Sequence, residues 1–332
     1  MTNVNTVLGP VKASELGKTL IHEHLYISFS GAEFDILMPF DRPAFIEDAV
    51  RRVKALKQYG VQTFVDPCPI ELGRDVSLMA EVSEKAEMNI VCTTGFYWEK
   101  FGLPLYWRGK TAEELAELYI YEIETGIENT GIKAGAIKVA TGEPQIHEVE
   151  VAFAQAAAMA SKATGVPIIT HTEKGCCGPD QQKIFSDSGA DLHKVAIGHS
   201  CGNADPAYHK KIVEGGSYIS FDRIGYEMMM PDAVRADNVV HLINGGYRDQ
   251  LMMAQDRFCH LRGANVLLKA IPMDKETEAY MKKAMEEGTL DLPFTDMFEN
   301  FFPMLRERGV SDADIDHILG VNPGRFFSGE KF

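Results

Sequence analysis

Eight short apolar runs rich in strand formers, each separated from the next by a helical stretch, constrain this chain more than any other feature. The strands are predicted near 19–24, 61–66, 90–94, 134–140, 167–172, 195–199, 217–221 and 251–255. Helical runs fill the gaps over 43–59, 74–88, 111–128, 148–164, 181–188, 206–215 and 231–245. Asp41 and Arg42 before Pro43, and Thr111 before Glu113 and Glu114, read as helix starts. Gly60, Gly165 and Gly215 read as stops. Parallel strands need long crossovers, so strand–helix alternation implies a parallel sheet, and eight such units imply a (β/α)8 barrel. No linker, repeat or low-complexity segment breaks the chain, and one domain over 1–332 is expected.

In a barrel of this kind the site lies at the C-terminal strand ends. Ligand-type residues gather there. Thr19-Leu20-Ile21-His22-Glu23-His24-Leu25 holds two histidines two residues apart, which on one strand would project from one face. Lys138 lies late in Gly135–Ala140, His171 ends Val166–Thr172, His199 ends the strand from Val195, and Asp256 closes Leu251–Asp256. Each also has a bland reading. Lys138 could snorkel to the surface, His171 and His199 could be satisfied strand-end histidines, and Asp256 could be a helix cap. Convergence of all of them on one rim favours a metal centre.

With these residues in place the chain resembles the phosphotriesterase family of the amidohydrolase superfamily, and most closely its phosphotriesterase-like lactonases. The resemblance runs from the first strand to Asn322-Pro323-Gly324-Arg325-Phe326-Phe327. It implies a TIM barrel with a binuclear metal centre. His22, His24 and Asp256 would hold one ion, and His171 and His199 the other. Lys138 would be carboxylated to a carbamate (N6-carboxylysine) that bridges both. A buried lysine has a lowered pKa, and its neutral amine is the form that attacks carbon dioxide. Nitrogen and oxygen ligands suit zinc, cobalt, manganese or iron, and zinc is the expected ion. The implied nucleophile is a metal-bridging hydroxide, with Asp256 taking its proton and passing it to the leaving group.

The rim loops bear on the substrate. Tyr97 and Trp98 follow the third strand, and Arg223 and Tyr226 follow the seventh. The lactonase branch carries a tyrosine and an arginine at the places of Tyr97 and Arg223, so both are candidate catalytic residues. Packing for Tyr97, or pairing of Arg223 with Asp222 or Asp256, remains the alternative. A long loop over about 257–293 reads as a lid. Its Leu261, Val266, Leu267, Leu268 and Ile271 could line an acyl channel or pack a helix. No Phe, Tyr or Trp lies between Cys259 and Ile271, which leaves Phe258 to fill part of the pocket.

The leading reading is a lactonase acting on N-acyl-homoserine lactones or related hydroxy-acid lactones, with promiscuous organophosphate triester hydrolysis. The alternatives are a dedicated phosphotriesterase (aryldialkylphosphatase), an amidase or a phospho-sugar lactonase. A phosphorylated substrate would want two cations near the metals, and only Arg223 and Arg257 stand out. A binding protein on a dead barrel has no need of the six ligands.

A formal net charge of -15 argues against nucleic acid or an anionic membrane as partner, and no apolar run is long enough to span a bilayer. The start, Met1–Asn5, lacks the pattern of a secretory signal, so a cytoplasmic protein with six reduced cysteines is expected. Cys176, Cys177 and Cys201 could form a second, soft-metal site, although the paired Cys-x-x-Cys spacing is missing. His147, His193, His209, His241 and His317 read as surface or capping residues, His260 as a residue of the lid, and Met228–Met230 as packing. The family resemblance implies a homodimer.

Overall fold

Eight parallel strands form a single sheet in chain order. They are β1 (Lys18–Leu20), β2 (Val61–Asp66), β3 (Asn89–Gly95), β4 (Ala136–Thr141), β5 (Ile168–Thr172), β6 (Val195–Ile197), β7 (Tyr218–Phe221) and β8 (Leu251–Met253). This computed structural model describes residues 2–263 and 293–332, with positions 275, 278, 279, 282 and 283 between them.

Closure of the sheet is made beyond β1 and β8. Asp256 N donates to His22 O at 3.0 Å, and His24 N donates to Arg257 O at 2.6 Å. His24–Ser28 and Phe258–Arg262 then run on as a parallel two-stranded ribbon, with Phe258 opposite His24 and Arg262 opposite Ser28. Buried Glu23 clasps the join, because its two oxygens accept from Gln255 N at 2.8 Å and Arg257 N at 2.9 Å. The result is a (β/α)8 barrel.

Helices α1 (Arg42–Ala55), α2 (Val76–Ala86), α3 (Leu105–Arg108), α4 (Ala112–Glu124), α5 (Glu148–Thr164), α6 (Gly178–Asp187), α7 (Pro206–Glu214) and α8 (Asp232–Asn244) occupy the crossovers. Their starts follow the expected chemistry. Asp41 accepts from Ala44 N, and Thr111 with Glu114 forms a reciprocal capping box. Besides α3 and the closing ribbon, two parts of the fold carry no prediction from the sequence. One is an N-terminal hairpin that pairs Asn3–Thr6 with Gly9–Lys12. The other is the C-terminal helical run, with α9 (Phe302–Glu307), α10 (Asp312–Asp316) and α11 (Asn322–Ser328).

The barrel has an inner and an outer core. Val65, Val91, Ala136, Ile169, Ala196, Tyr218 and Met252, one from each of β2 to β8, pack inside with Val4 of the hairpin and Phe326 and Phe327 of α11. These plug one end. Leu20, Phe64, Ile90, Ile137, Ile168, Ile197 and Ile219 face the helices. Alternation along a strand then carries the inward face from Ala136 to Lys138 and from Ile169 to His171, at the open end.

Arg74, shortly before α2, joins this rim to the helices. Its guanidinium donates to both oxygens of Glu122 in α4, at 2.6 and 2.7 Å, and to Thr93 O at 3.0 Å. Removing one partner of so buried a pair leaves the other uncompensated, a cost of about 3–5 kcal/mol. Arg74→Met should therefore destabilise the fold by about that much in denaturant unfolding, and Arg74→Met/Glu122→Leu should recover most of the loss. Equal stability of the wild type and the single variant would show that the pair contributes nothing.

Candidate active site and metal centre

The six ligand-type residues meet at the C-terminal mouth. His22, Lys138, His171 and His199 are at most 1% exposed and His24 is 6% exposed. Lys138 Nζ lies 3.0 Å from His22 Nε2. One oxygen of Asp256 faces His22 Nε2 at 3.5 Å and His24 Nε2 at 3.2 Å. Its other oxygen faces His199 Nε2 at 3.6 Å and accepts from Arg223 Nε at 2.9 Å. His171 packs edge-on against His199.

Each imidazole is held by a carboxylate on its far side. Asp222, at the end of β7, faces His22 Nδ1 at 3.0 Å and His199 Nδ1 at 2.9 Å, and accepts from His199 N at 2.7 Å. Asp66, the last residue of β2, faces His24 Nδ1 at 3.1 Å and accepts from Leu25 N at 2.8 Å. Glu173 faces His171 Nε2 at 2.9 Å, so that His171 Nδ1 turns toward the Tyr97 hydroxyl at 3.2 Å. One nitrogen anchored on a carboxylate and the other turned inward is the arrangement that orients metal-ligating histidines. The donor set of imidazole, carboxylate and buried amine therefore fits a divalent metal centre. Among the described residues, ligand atoms within 4.8 Å of one another form two groups: His22, His199 and Asp256, and His24, Asp66 and Cys68.

Two of the histidines reach the centre by a route the strand pattern does not contain. The predicted strand over 19–24 stops at Leu20, and Ile21–Glu23 is irregular before the ribbon begins at His24. His22 and His24 thus do not share one strand face. The break itself turns both rings inward, with centroids 5.5 Å apart. His199 likewise lies beyond β6, in a left-handed conformation with φ 55°. Alternation from Ala196 would point it outward, and the left-handed turn aims it back. Asp256 also has φ 55°. Such non-glycine residues cost about 1–3 kcal/mol each and persist where the surroundings impose them. Gly198 is required beside His199, because a Cβ there would lie 1.9 Å from Thr170 O.

Burial governs the charges. Desolvation and the nearby Lys138 hold the His22 pKa down to about 4, and burial does the same to His171. His199 is lower than usual for the same reason. Burial also opposes a charged His24, yet Asp256 and Asp66 outweigh it and raise its pKa well above the ordinary value. Burial works against the Asp256 anion, but His199, Arg223 and His24 hold it well below the carboxylate range. Desolvation lowers Lys138 to about 8, against the pull of Asp256 and Asp222. Burial raises Glu23 to about 8.

The remaining predicted residues are distributed as follows. Tyr97 and Arg223 stand at the mouth, and their pairings are those given above. Tyr226 donates its hydroxyl to Asp256 O at 2.9 Å. Trp98 is buried, its ring 6.5 Å from that of His171. Phe258 sits on the closing ribbon opposite His24. Arg257 lies under Tyr226, 4.4 Å from its ring, with Asp296 at 3.5 Å. Of the lid residues, Leu261 belongs to the ribbon, while Val266, Leu267, Leu268 and Ile271 lie outside the described residues. Two expectations need correction, those for His209 and for Met228 and Met229. His209 is fully buried and bonds Ser200 O at 3.0 Å through Nε2. Met228 and Met229 are exposed at 40% and 51% and lie outside the buried core. Cys201 joins no ligand group with Cys176 and Cys177. His147 caps α5 as expected, and His260 stacks on Tyr26 in an aromatic cluster.

Asp66, Asp222, Glu173 and Glu23 were not picked out by sequence reasoning. For Asp66, Asp222 and Glu173 the available signal was a carboxylate at, or one residue past, a strand end, the place from which a histidine can be braced; Glu23, three residues past β1, carried no such signal.

A parallel barrel with such a rim belongs to the class of metal-dependent hydrolases. The Phosphotriesterase family model matches residues 2–327, and the chain belongs to that family. It is 34% identical to an aryldialkylphosphatase of Saccharolobus solfataricus over 96% of this chain and 97% of that protein. A phospho-furanose lactonase of Mycoplasmopsis agalactiae is 30% identical over 96% of this chain and 90% of the other. A mutant of a Deinococcus radiodurans PTE-like lactonase superposes with a TM-score of 0.87 at 35% identity, covering 98% and 99% of the two chains. The family resemblance drawn from the sequence motifs is thereby borne out, and the chain is a hydrolase of this family.

Second-sphere carboxylates typically support metal affinity by about 10–100-fold. Asp222→Asn should weaken divalent-metal affinity by about that factor in chelator competition, with little change in far-ultraviolet circular dichroism. Unchanged affinity would remove Asp222 from the metal centre.

Proposed function

We propose that the chain is a lactonase that opens N-acyl-homoserine lactones or related hydroxy-acid lactones, with slower hydrolysis of organophosphate triesters. The observation that carries this reading is the Tyr97 hydroxyl, which lies 3.2 Å from the inward nitrogen of His171. A phenol there can donate to an ester oxygen at the centre. Opposite it, Arg223 holds Asp256 through its Nε. A tyrosine and an arginine at these places match the lactonase branch, whereas phosphotriesterases that act on paraoxon-like compounds carry tryptophan and histidine there.

His22, His24 and Asp256 would hold one ion, His171 and His199 a second, and carboxylated Lys138 would link them; zinc is the ion we propose. When bound, the two ions polarise the carbonyl and supply a water that is nucleophilic at neutral pH. Asp256 would accept a proton from the attacking water at a carboxylate oxygen and return it to the leaving alkoxide. Arg223 fixes the Asp256 carboxylate for this transfer. Tyr97 orients the lactone and donates to its ring oxygen or carbonyl.

A phosphorylated lactone is the weaker reading. It needs cations free to meet a phosphate, and among the described residues Arg257 is buried beneath Tyr226 and Arg223 is engaged by Asp256.

Turnover of a panel of acyl-homoserine lactones, δ-lactones and aryl dialkyl phosphates by the metal-loaded enzyme tests the substrate class. Faster turnover of aryl phosphotriesters than of every lactone would overturn the proposal. A hydroxyl that bonds in the transition state contributes about 1–3 kcal/mol, or roughly ten- to a hundredfold in rate. Tyr97→Phe should lower lactone turnover by about that factor and affect aryl phosphotriesters less, since their leaving group needs little assistance. An equal fall for both would make Tyr97 a packing residue.

A further inference from the structure

The loops that follow β4 and β5 are tied to each other on the rim, outside the imidazole cluster. Lys174 donates to Glu143 at 2.6 Å. The next tie is made by sulfur. Cys176 and Cys177 have their Sγ atoms 3.2 Å apart, and the two thiols reach Pro144 O at 3.6 and 3.4 Å. Neighbouring side chains in extended backbone point to opposite sides. These two converge because Cys177, the residue before α6, is left-handed with φ 65°, which swings its thiol round to that of Cys176. The hydroxyl of Tyr208 accepts from the next backbone amide, Gly178 N, at 3.0 Å and holds the turn.

The pair is reachable. Cys176 is partly exposed, and Cys177 lines a cavity of about 380 Å³ together with Pro144, Ile146, Asp180, Lys183 and Ile184. All six cysteines are unbridged in the structure.

We propose that Cys176 and Cys177 are a redox modification site, a neighbouring thiol pair that low-molecular-weight disulfides close to a disulfide and dithiols reopen. The Cys176 thiolate attacks one sulfur of the reagent, whose S–S bond breaks, and the first reagent thiol leaves with the proton lost from Cys176. Cys177 then gives up its proton and attacks Cys176 Sγ, displacing the second reagent thiol. Two protein thiols are oxidised and one reagent disulfide is reduced to two thiols. Exposure sets the order: Cys176 meets the reagent first. Burial and the adjacent Cys176 push the Cys177 thiol above its ordinary value, which makes it the poorer first nucleophile of the two.

Closure removes both S–H donors from Pro144 O. Of the ties named above, only Lys174–Glu143 then joins the loops behind Lys138 and His171. This inference is independent of the reaction proposed for the site.

The test treats the full-length, metal-loaded protein with hydroxyethyl disulfide and reads intact mass and a peptide map. The wild type should lose the mass of two hydrogens, retain no adduct, and show two fewer titratable thiols, all reversed by dithiothreitol. The loss should map to the peptide that contains both residues. Cys177→Ser should instead keep one reagent adduct on Cys176. A stable adduct on Cys176 in the wild type, a loss that maps to other cysteines, or no reaction at all would overturn the proposal.

Discussion

Four buried imidazoles, each with one nitrogen spent on a carboxylate, are the constraint on which this molecule depends. Asp66, Asp222 and Glu173 fix the rings of His24, of His22 and His199, and of His171. Their inner nitrogens are left facing Asp256, Lys138 and Tyr97. Without those anchors the rings would be free to turn, and buried polar atoms without partners are costly. The left-handed backbone at His199 and Asp256 is strain of the same origin, imposed so that side chains past the strand ends face inward.

The barrel supplies the rest. β1 and β8 are too short to close the sheet by themselves, and the join is made at the site by Glu23, His22, His24 and Asp256. Closing the fold and building the centre are therefore one set of hydrogen bonds. The inner apolar core fills the opposite end with Val4, Phe326 and Phe327, which leaves the rim as the open face. Arg74–Glu122 and the contacts between the β4 and β5 loops then fix the rim to the surrounding helices and to itself.

Much of this was legible in the residues. Alternating strands and helices defined the barrel, and position late in, or at the end of, a strand placed Lys138 and His171 at its mouth. The motif of His22 and His24 pointed to the right site for the wrong local reason. Two residues on one strand face were expected, whereas an interruption of the strand over Ile21–Glu23 lies between them. His199 defeats strand parity in a similar way. The supporting carboxylates were harder to find, since an aspartate ending a strand is common and its partner is a histidine far away in sequence. Asp222 and His22 are 200 residues apart. The N-terminal hairpin and the C-terminal helices escaped because short polar strands and short helices carry little periodic signal. His209 shows the reverse failure: a polar residue in a helical run looked superficial, while a bond to Ser200 O lets it be buried.

The account rests on Lys138 as the link within a two-metal centre, and native mass spectrometry of gently purified, metal-loaded protein tests this most directly. The predicted result is a chain heavier by one carbon dioxide and two divalent ions. Both should be lost in Lys138→Ala together with activity, and short carboxylates such as acetate should partly restore metal and turnover. A bare lysine amine in fully active, metal-loaded protein would contradict it.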